Sequence, residues 1–267
     1  MPDEDLRAAR TTVERAIERT EREEKARTAG SAKRRAVKRV AAMPRSGFRR
    51  FLFENGLALV AGLLFLLTFV GQIAAGHAGY NDDQREHGQS TKSVGEYLRS
   101  GAFVEATAEN WESEFLQMGL FVVLTVFLYQ RGSSESKKLY EPEGVDQRPE
   151  EASGDPGAPW PVRHGGMPLR LYKHSLSIAL FAMFLVSFAL HAMGGAADYS
   201  EDQVAHGGHA VTTFEYLTTS RFWFESFQNW QSEFLSVAVL VLLSIWLREQ
   251  GSPQSKPVAA SFHETGE

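Results

Sequence analysis

Two uninterrupted apolar stretches decide what this chain can fold into. No Lys, Arg, Asp or Glu occurs between Glu54 and Asp82, and a second such run covers Ser175 to Ala197, with His191 near its far end. Each supplies roughly 20 apolar or small residues, the length a helix needs to cross ~30 Å of hydrocarbon. Two shorter runs, Phe115 to Gln130 and Phe234 to Leu247, are flanked by Glu114/Arg131 and Glu233/Arg248. At 1.5 Å per residue these reach only about 21–24 Å, so they span only if the leading acid lies inside the membrane edge. The average hydropathy is slightly polar, but that mean hides a segregation of charge from apolar blocks. A soluble core would need amphipathic helices to cover four helices apolar all round, and the chain has almost none. The first run follows a charged lead too long for a cleaved signal peptide and reads as a retained anchor. The pattern predicts an all-α integral membrane protein with four transmembrane helices.

Lys and Arg placement sets the orientation. Residues 25–50 carry Lys25, Arg27, Lys33, Arg34, Arg35, Lys38, Arg39, Arg45, Arg49 and Arg50 without an acid. The segment between the second and third spans is also basic, through Arg131, Lys137, Lys138, Arg148, Arg163, Arg170 and Lys173. The loop after the first span has only Arg85, Lys92 and Arg99, and the loop after the third only Arg221. The positive-inside rule then puts both chain ends in the cytoplasm and both acidic inter-helix loops outside.

Residues 51–137 match residues 170–256 without a gap, at a constant offset of 119. Tyr80 pairs with Tyr199, Asp83-Gln84 with Asp202-Gln203, His87-Gly88 with His206-Gly207, and Glu96-Tyr97-Leu98 with Glu215-Tyr216-Leu217. Asn110-Trp111-x-Ser113-Glu114-Phe115 recurs as Asn229-Trp230-x-Ser232-Glu233-Phe234, and Gly132-Ser133-x-x-Ser136-Lys137 as Gly251-Ser252-x-x-Ser255-Lys256. Each copy holds two spans, so both enter from the same side as parallel-related helical hairpins. The expected organisation is a charged cytoplasmic tail (1–50), hairpin repeat 1 (51–137), a flexible Pro/Gly/Glu-rich cytoplasmic linker (138–169), hairpin repeat 2 (170–256) and a second cytoplasmic tail (257–267). Short interfacial helices are expected in the outer loops, with the two hairpins packed as a four-helix bundle.

Glu54-Asn55-Gly56-Leu57, Gly71-Gln72, Gly76-His77, the stretch Asn110 to Gln117 and Arg131-Gly132-Ser133 resemble a family of uncharacterised bacterial membrane proteins, a domain of unknown function. The resemblance covers most of 51–256; His174 stands in the second copy for Asn55, and His191 for Gln72. It implies topology, a bacterial origin and a multi-pass place in the inner (plasma) membrane, and no assigned activity.

The outer loops carry the candidate site residues. Ser93-x-x-Glu96 and Thr212-x-x-Glu215 have capping-box spacing, the hydroxyl and the carboxylate each satisfying a helix-start N–H. The aromatic stretches that follow fit a helix at headgroup level. Asn110, Trp111 and Glu114, with Asn229, Trp230 and Glu233, are read as opening the second and fourth spans. There Trp anchors the interface and Glu either favours the helix N-terminus or, drawn to the hydrocarbon edge, faces the bundle as a functional pair. His87 with Asp83, and His206 with Asp202, form the candidate outward metal site. His77 and His191 are not at equivalent positions, which disfavours haem between facing helices. No phosphate-binding loop, dinucleotide fingerprint or nucleophile elbow is present. No cofactor is expected.

Residues 1–24 mix charges evenly and read as a solvated helix or disorder. The basic 25–50 segment should lie against anionic lipid headgroups; without a folded reading module, no nucleic acid is expected. Three functions are compatible with these residues. One is a non-catalytic structural or accessory bundle binding a membrane-protein partner or a second copy of itself. The second is a small transporter or ion/proton pathway using Glu114 and Glu233. The third is an outward metal or redox site on His87 and His206.

Overall fold

A computed structural model describes residues 47–266. The mixed-charge segment 1–24 and nearly all of the basic segment 25–50 lie outside the described residues. The described residues fall into two compact units, one ending at Gln72 and the other beginning at Ile73. In the first, α1 (Phe48–Glu54) ends where the Asn55 side chain donates to the Phe51 carbonyl, 2.9 Å away, and α2 (Gly56–Glu86) begins. The remaining helices are α3 (Val94–Tyr97), α4 (Gly101–Phe127), α5 (Trp160–His164), α6 (Gly166–Lys173), α7 (Ser175–Ala205), α8 (Thr213–Tyr216) and α9 (Ser220–Leu243). All regular elements among the described residues are helical. Two helices, α2 and α7, are long and apolar enough to cross a membrane; none of the most apolar window of α2 is buried, and only 22% of that of α7. A core helix of a soluble protein would be covered; these present their apolar surface outward.

Helix boundaries follow the sequence offset. Adding 119 to the limits of α2 gives those of α7, adding it to those of α3 gives those of α8, and the starts of α4 and α9 correspond likewise. The same local chemistry acts twice. Gly88 and Gly207 adopt positive φ (67° and 81°), the left-handed turn that ends a helix and favours glycine. The preceding His87 and His206 each donate from Nδ1 to a last-turn carbonyl, of Asp83 (3.0 Å) and Asp202 (2.8 Å). Ser93/Glu96 and Thr212/Glu215 form reciprocal capping boxes on α3 and α8. The hydroxyls of Ser100 and Thr219 then accept from the Phe103 and Phe222 amides and start α4 and α9.

Those last two caps alter one expectation. The aromatic stretches are not separate interfacial helices; they are the first turns of α4 and α9, which run on without a break. The Asn-Trp-x-Ser-Glu motif therefore lies inside each helix and not at its N-terminus, because no Gly or Pro interrupts the turn between cap and motif. The separate short helices between the long ones reduce to the four-residue α3 and α8. At 27 and 24 residues, α4 and α9 span about 40 and 36 Å, longer than their apolar runs. Residues 138–169, read as a flexible linker, fold into two 3₁₀ turns (Gly144–Asp146 and Pro149–Ala152) and α5.

In the second unit α4 lies along α7. The buried stripe of α4 includes Glu105, Ala108, Glu112 and Gly119, and that of α7 includes Leu180, Ser187, His191, Gly194 and Gly195. Intervals of three and four residues keep each stripe on one face. Small residues permit the close approach: a Cβ on Gly194 would sit 2.6 Å from the Glu105 amide nitrogen, and one on Gly101 2.5 Å from that of Asp198. Such contacts are the usual basis of helix association in membranes. Gly195 lies under the Tyr216 ring as Gly76 lies under Tyr97.

The capping boxes give a pH prediction. The Ser93 hydroxyl and amide hold the Glu96 carboxyl below the usual carboxylate range, and the Thr212 amide and hydroxyl do the same for Glu215. A depressed folded-state value means the stabilisation is present above the unfolded value of about 4.3 and is lost as pH falls through the folded one. The double variant Glu96→Gln/Glu215→Gln should therefore show less fall in melting temperature between pH 5 and pH 3 than the parent. Parallel melting curves of the two proteins in detergent would contradict this.

Candidate functional site

Where α4, α7 and α9 meet with α8, the buried surface turns polar. His191 and Glu112 have no side-chain exposure, and His191 Nδ1 lies 2.8 Å from Glu112 Oε2. Trp230 donates from Nε1 to the other oxygen of Glu112 (3.0 Å). On the opposite edge of the imidazole, Nε2 is 3.4 Å from Glu225 Oε2. The Tyr216 hydroxyl donates to Glu105 Oε1 (2.9 Å) and lies 2.5 Å from Glu225 Oε2. Phe222 covers the His191 ring, with centroids 4.7 Å apart. One donor atom each from Glu105, His191 and Glu225 falls within a 4.8 Å cluster, a set of types able to hold a metal ion.

Arg221 closes the cluster on its more accessible side. Its Nε lies 2.9 Å from Glu225 Oε1, Nη2 lies 2.8 Å from Asp198 and 3.7 Å from Glu105, and Nη1 is 3.0 Å from the exposed Asp202. Glu105, Asp198 and Glu225 thus share the Arg221 cation, Glu112 faces His191, and the half-buried Glu109 is close enough to act on His191 and Glu225. Burying several carboxylates is costly unless they are paired, and such pairs often add no stability over apolar packing.

The family model for a domain of unknown function (DUF6766) matches residues 48–267. The chain belongs to that family. Neither a curated protein nor a solved structure matches it. The family carries no assigned activity, so the chemistry of this member is read from its own residues.

The residues singled out by the repeat are placed differently from the buried cluster. Asn110 and Asn229 donate back to the carbonyls of Ala106 (2.7 Å) and Glu225 (3.2 Å) on their own helices. Trp111 is exposed, whereas its counterpart Trp230 holds Glu112. Glu114 is exposed and Glu233 half-buried; the two are near enough for the Glu114 charge to act on Glu233. Asp83, His87, Asp202 and His206 line one outer hollow of about 330 Å³ together with Tyr80 and Glu201. They do not form a close-set ligand cluster; among the described residues only Glu105, His191 and Glu225 do.

The cluster is built where the two copies differ. His191 corresponds to Gln72, Glu112 to Gln231, Glu225 to Ala106, Glu105 to Phe224, Arg221 to Ala102 and Asp198 to Gly79. Identical counterparts exist only for its aromatic surround and outer acid: Tyr216, Phe222, Trp230 and Asp202 match Tyr97, Phe103, Trp111 and Asp83. A reading that ranks residues by duplication passes over such a site. One signal was available: Glu105, Glu109 and Glu112 recur at intervals of four and three, a single acidic helix face next to an apolar run.

Proposed function

We propose that this protein is a small ion transporter of the plasma membrane, with α2, α4, α7 and α9 as four spans and both ends in the cytoplasm. The ion is handled at the buried Glu105–His191–Glu225 cluster, roughly two turns before the pair Glu114/Glu233 along α4 and α9, and not at that pair. One observation carries this reading: a fully buried histidine flanked by carboxylates, on a helix otherwise apolar enough to cross a membrane. Ionisable groups buried on or beside membrane-spanning helices face the protein interior and mark ion or substrate pathways. The position of Asp202 at the exposed end of the Arg221 network supplies a route toward the aqueous side. The repeat and the basic segments support the four-span topology through the positive-inside rule.

The test is flux into proteoliposomes holding the purified full-length chain. Cation uptake should be retained in Glu114→Gln/Glu233→Gln and lost in His191→Gln, with both variants still monodisperse and helical. Equal uptake by His191→Gln would remove the buried cluster from the pathway. Reporter fusions within 88–92 and 207–211 should mark those loops as external; cytoplasmic signals there would invert the topology.

A further inference from the structure

We propose that Glu105, His191 and Glu225 bind a single divalent first-row transition-metal ion, through Nε2 of His191 and one carboxylate oxygen from each glutamate. That this metal is the transported ion rests on the transport reading above; the binding site itself does not.

The geometry fits the edge of a metal coordination shell. At 3.4 Å, His191 Nε2 and Glu225 Oε2 are beyond the 2.7–3.2 Å range of good N–H···O bonds. The same distance is close to the ~3.3 Å edge between two ligands of a tetrahedral ion with bonds of about 2.0–2.1 Å. Glu105, whose ligand atom lies within 4.8 Å of the other two, must draw in toward this edge to complete a three-ligand face. The other oxygen of Glu225 is held by Arg221 Nε, so Oε2, which also accepts from the Tyr216 hydroxyl, is the one turned toward His191 and the ion.

The surroundings of His191 point the same way. A metal-bound histidine characteristically donates its other ring N–H to a carboxylate, which fixes the tautomer and aims the ligating lone pair. Here Nδ1 faces Glu112 Oε2 at 2.8 Å, and Glu112 is itself held by Trp230. Glu112 takes no part in the ligand cluster, so this second layer is independent of it. A divalent ion also offsets the excess of carboxylates over the single guanidinium of Arg221.

The donor set narrows the class of ion. Two carboxylates alone would suit Mg²⁺ or Ca²⁺, whereas an added imidazole shifts preference to Mn²⁺, Fe²⁺ or Zn²⁺. The chain contains no cysteine, so soft thiolate chemistry is absent. The repeat sets the stoichiometry: the corresponding positions hold Phe224, Gln72 and Ala106, which cannot form a second such site.

Purified full-length protein in detergent would be titrated with ZnCl₂ and MnCl₂, with MgCl₂ and CaCl₂ in parallel. Binding would be read by calorimetry and by elemental analysis after desalting. One Zn²⁺ or Mn²⁺ per chain is expected, with Mg²⁺ and Ca²⁺ bound far more weakly. Glu112→Gln, which removes no ligand, should weaken binding about 10–100-fold, and His191→Gln at least as much. His87→Gln/His206→Gln should bind as the parent does. Absence of stoichiometric metal, affinity unchanged in both Glu112→Gln and His191→Gln, or loss confined to the His87/His206 variant would each overturn the site. Because Glu112→Gln tests the positioning contact alone, the outcome does not depend on His191→Gln folding. Flux measured on the same preparations separates the two readings. Metal binding without metal flux removes transport and keeps the site; proton or monovalent flux without divalent binding does the reverse.

Discussion

His191→Leu is expected to destabilise the protein by about 3 kcal/mol, and adding Glu112→Gln to it should restore most of that loss. The single substitution leaves the Glu112 carboxylate, with no solvent exposure, facing only Trp230. Breaking one side of a buried charged pair costs about 3–5 kcal/mol, largely because the remaining charge is uncompensated. In the double variant the amide oxygen introduced in place of the Glu112 carboxylate still accepts from Trp230, and no buried charge remains on α4 at that level. Residues in contact through a buried network show coupling of about 0.5–3 kcal/mol in such cycles. Chemical or thermal unfolding of the three variants in detergent checks it. Strictly additive losses would show that the two side chains do not act as a pair. The stable double variant should also be without metal or flux, which separates what the pair does for the fold from what it does for the ion.

The second large effect concerns packing. Gly194→Val places a Cβ 2.6 Å from the Glu105 backbone nitrogen and 3.0 Å from the Val104 side chain. Backbone cannot yield as the end of a flexible side chain can, so α4 must move away from α7. Overpacking of this kind costs typically about 1–3 kcal/mol. Glu105 would be carried off with the helix, so ion binding should fail even where the variant folds. Gly62→Val on α2 is the control, since nothing lies within 4 Å of its added Cβ. Comparable destabilisation of the two variants would show that the α4–α7 approach is not what Gly194 serves.

Much of the framework was legible in the sequence for specific reasons. Hydropathy marks α2 and α7 because their apolar runs are long. The gapless offset carries both limits of α2 and α3 and the start of α4 to the second copy, though α9 stops at Leu243, short of the position matching Phe127. Ser93/Glu96 and Thr212/Glu215 are local in sequence, so their spacing alone predicts the capping bond. The length of α4 was less visible: its first turns read as a separate short helix until the Ser100 cap and the absence of a breaker are considered together. The candidate site was least visible. Its members come from three long helices and a four-residue turn, and their proximity depends on the register at which Gly101 meets Gly194. Duplication also drew weight toward His87/His206 and Glu114/Glu233. Residues present twice include the helix ends and turns that any such hairpin needs.

That inequality between copies has a consequence for what half of the chain amounts to. Glu105 and Glu112 belong to the first hairpin, whereas His191, Tyr216, Arg221 and Glu225 belong to the second. Neither copy alone contains the full set of the proposed site, and pairing either one with its own twin would duplicate the deficiency. If the site binds as proposed, the chain acts as a heterodimer written as one polypeptide. Covalent linkage guarantees that each acidic α4 meets a histidine-bearing α7 in equal number, something two freely assorting hairpins would achieve only part of the time.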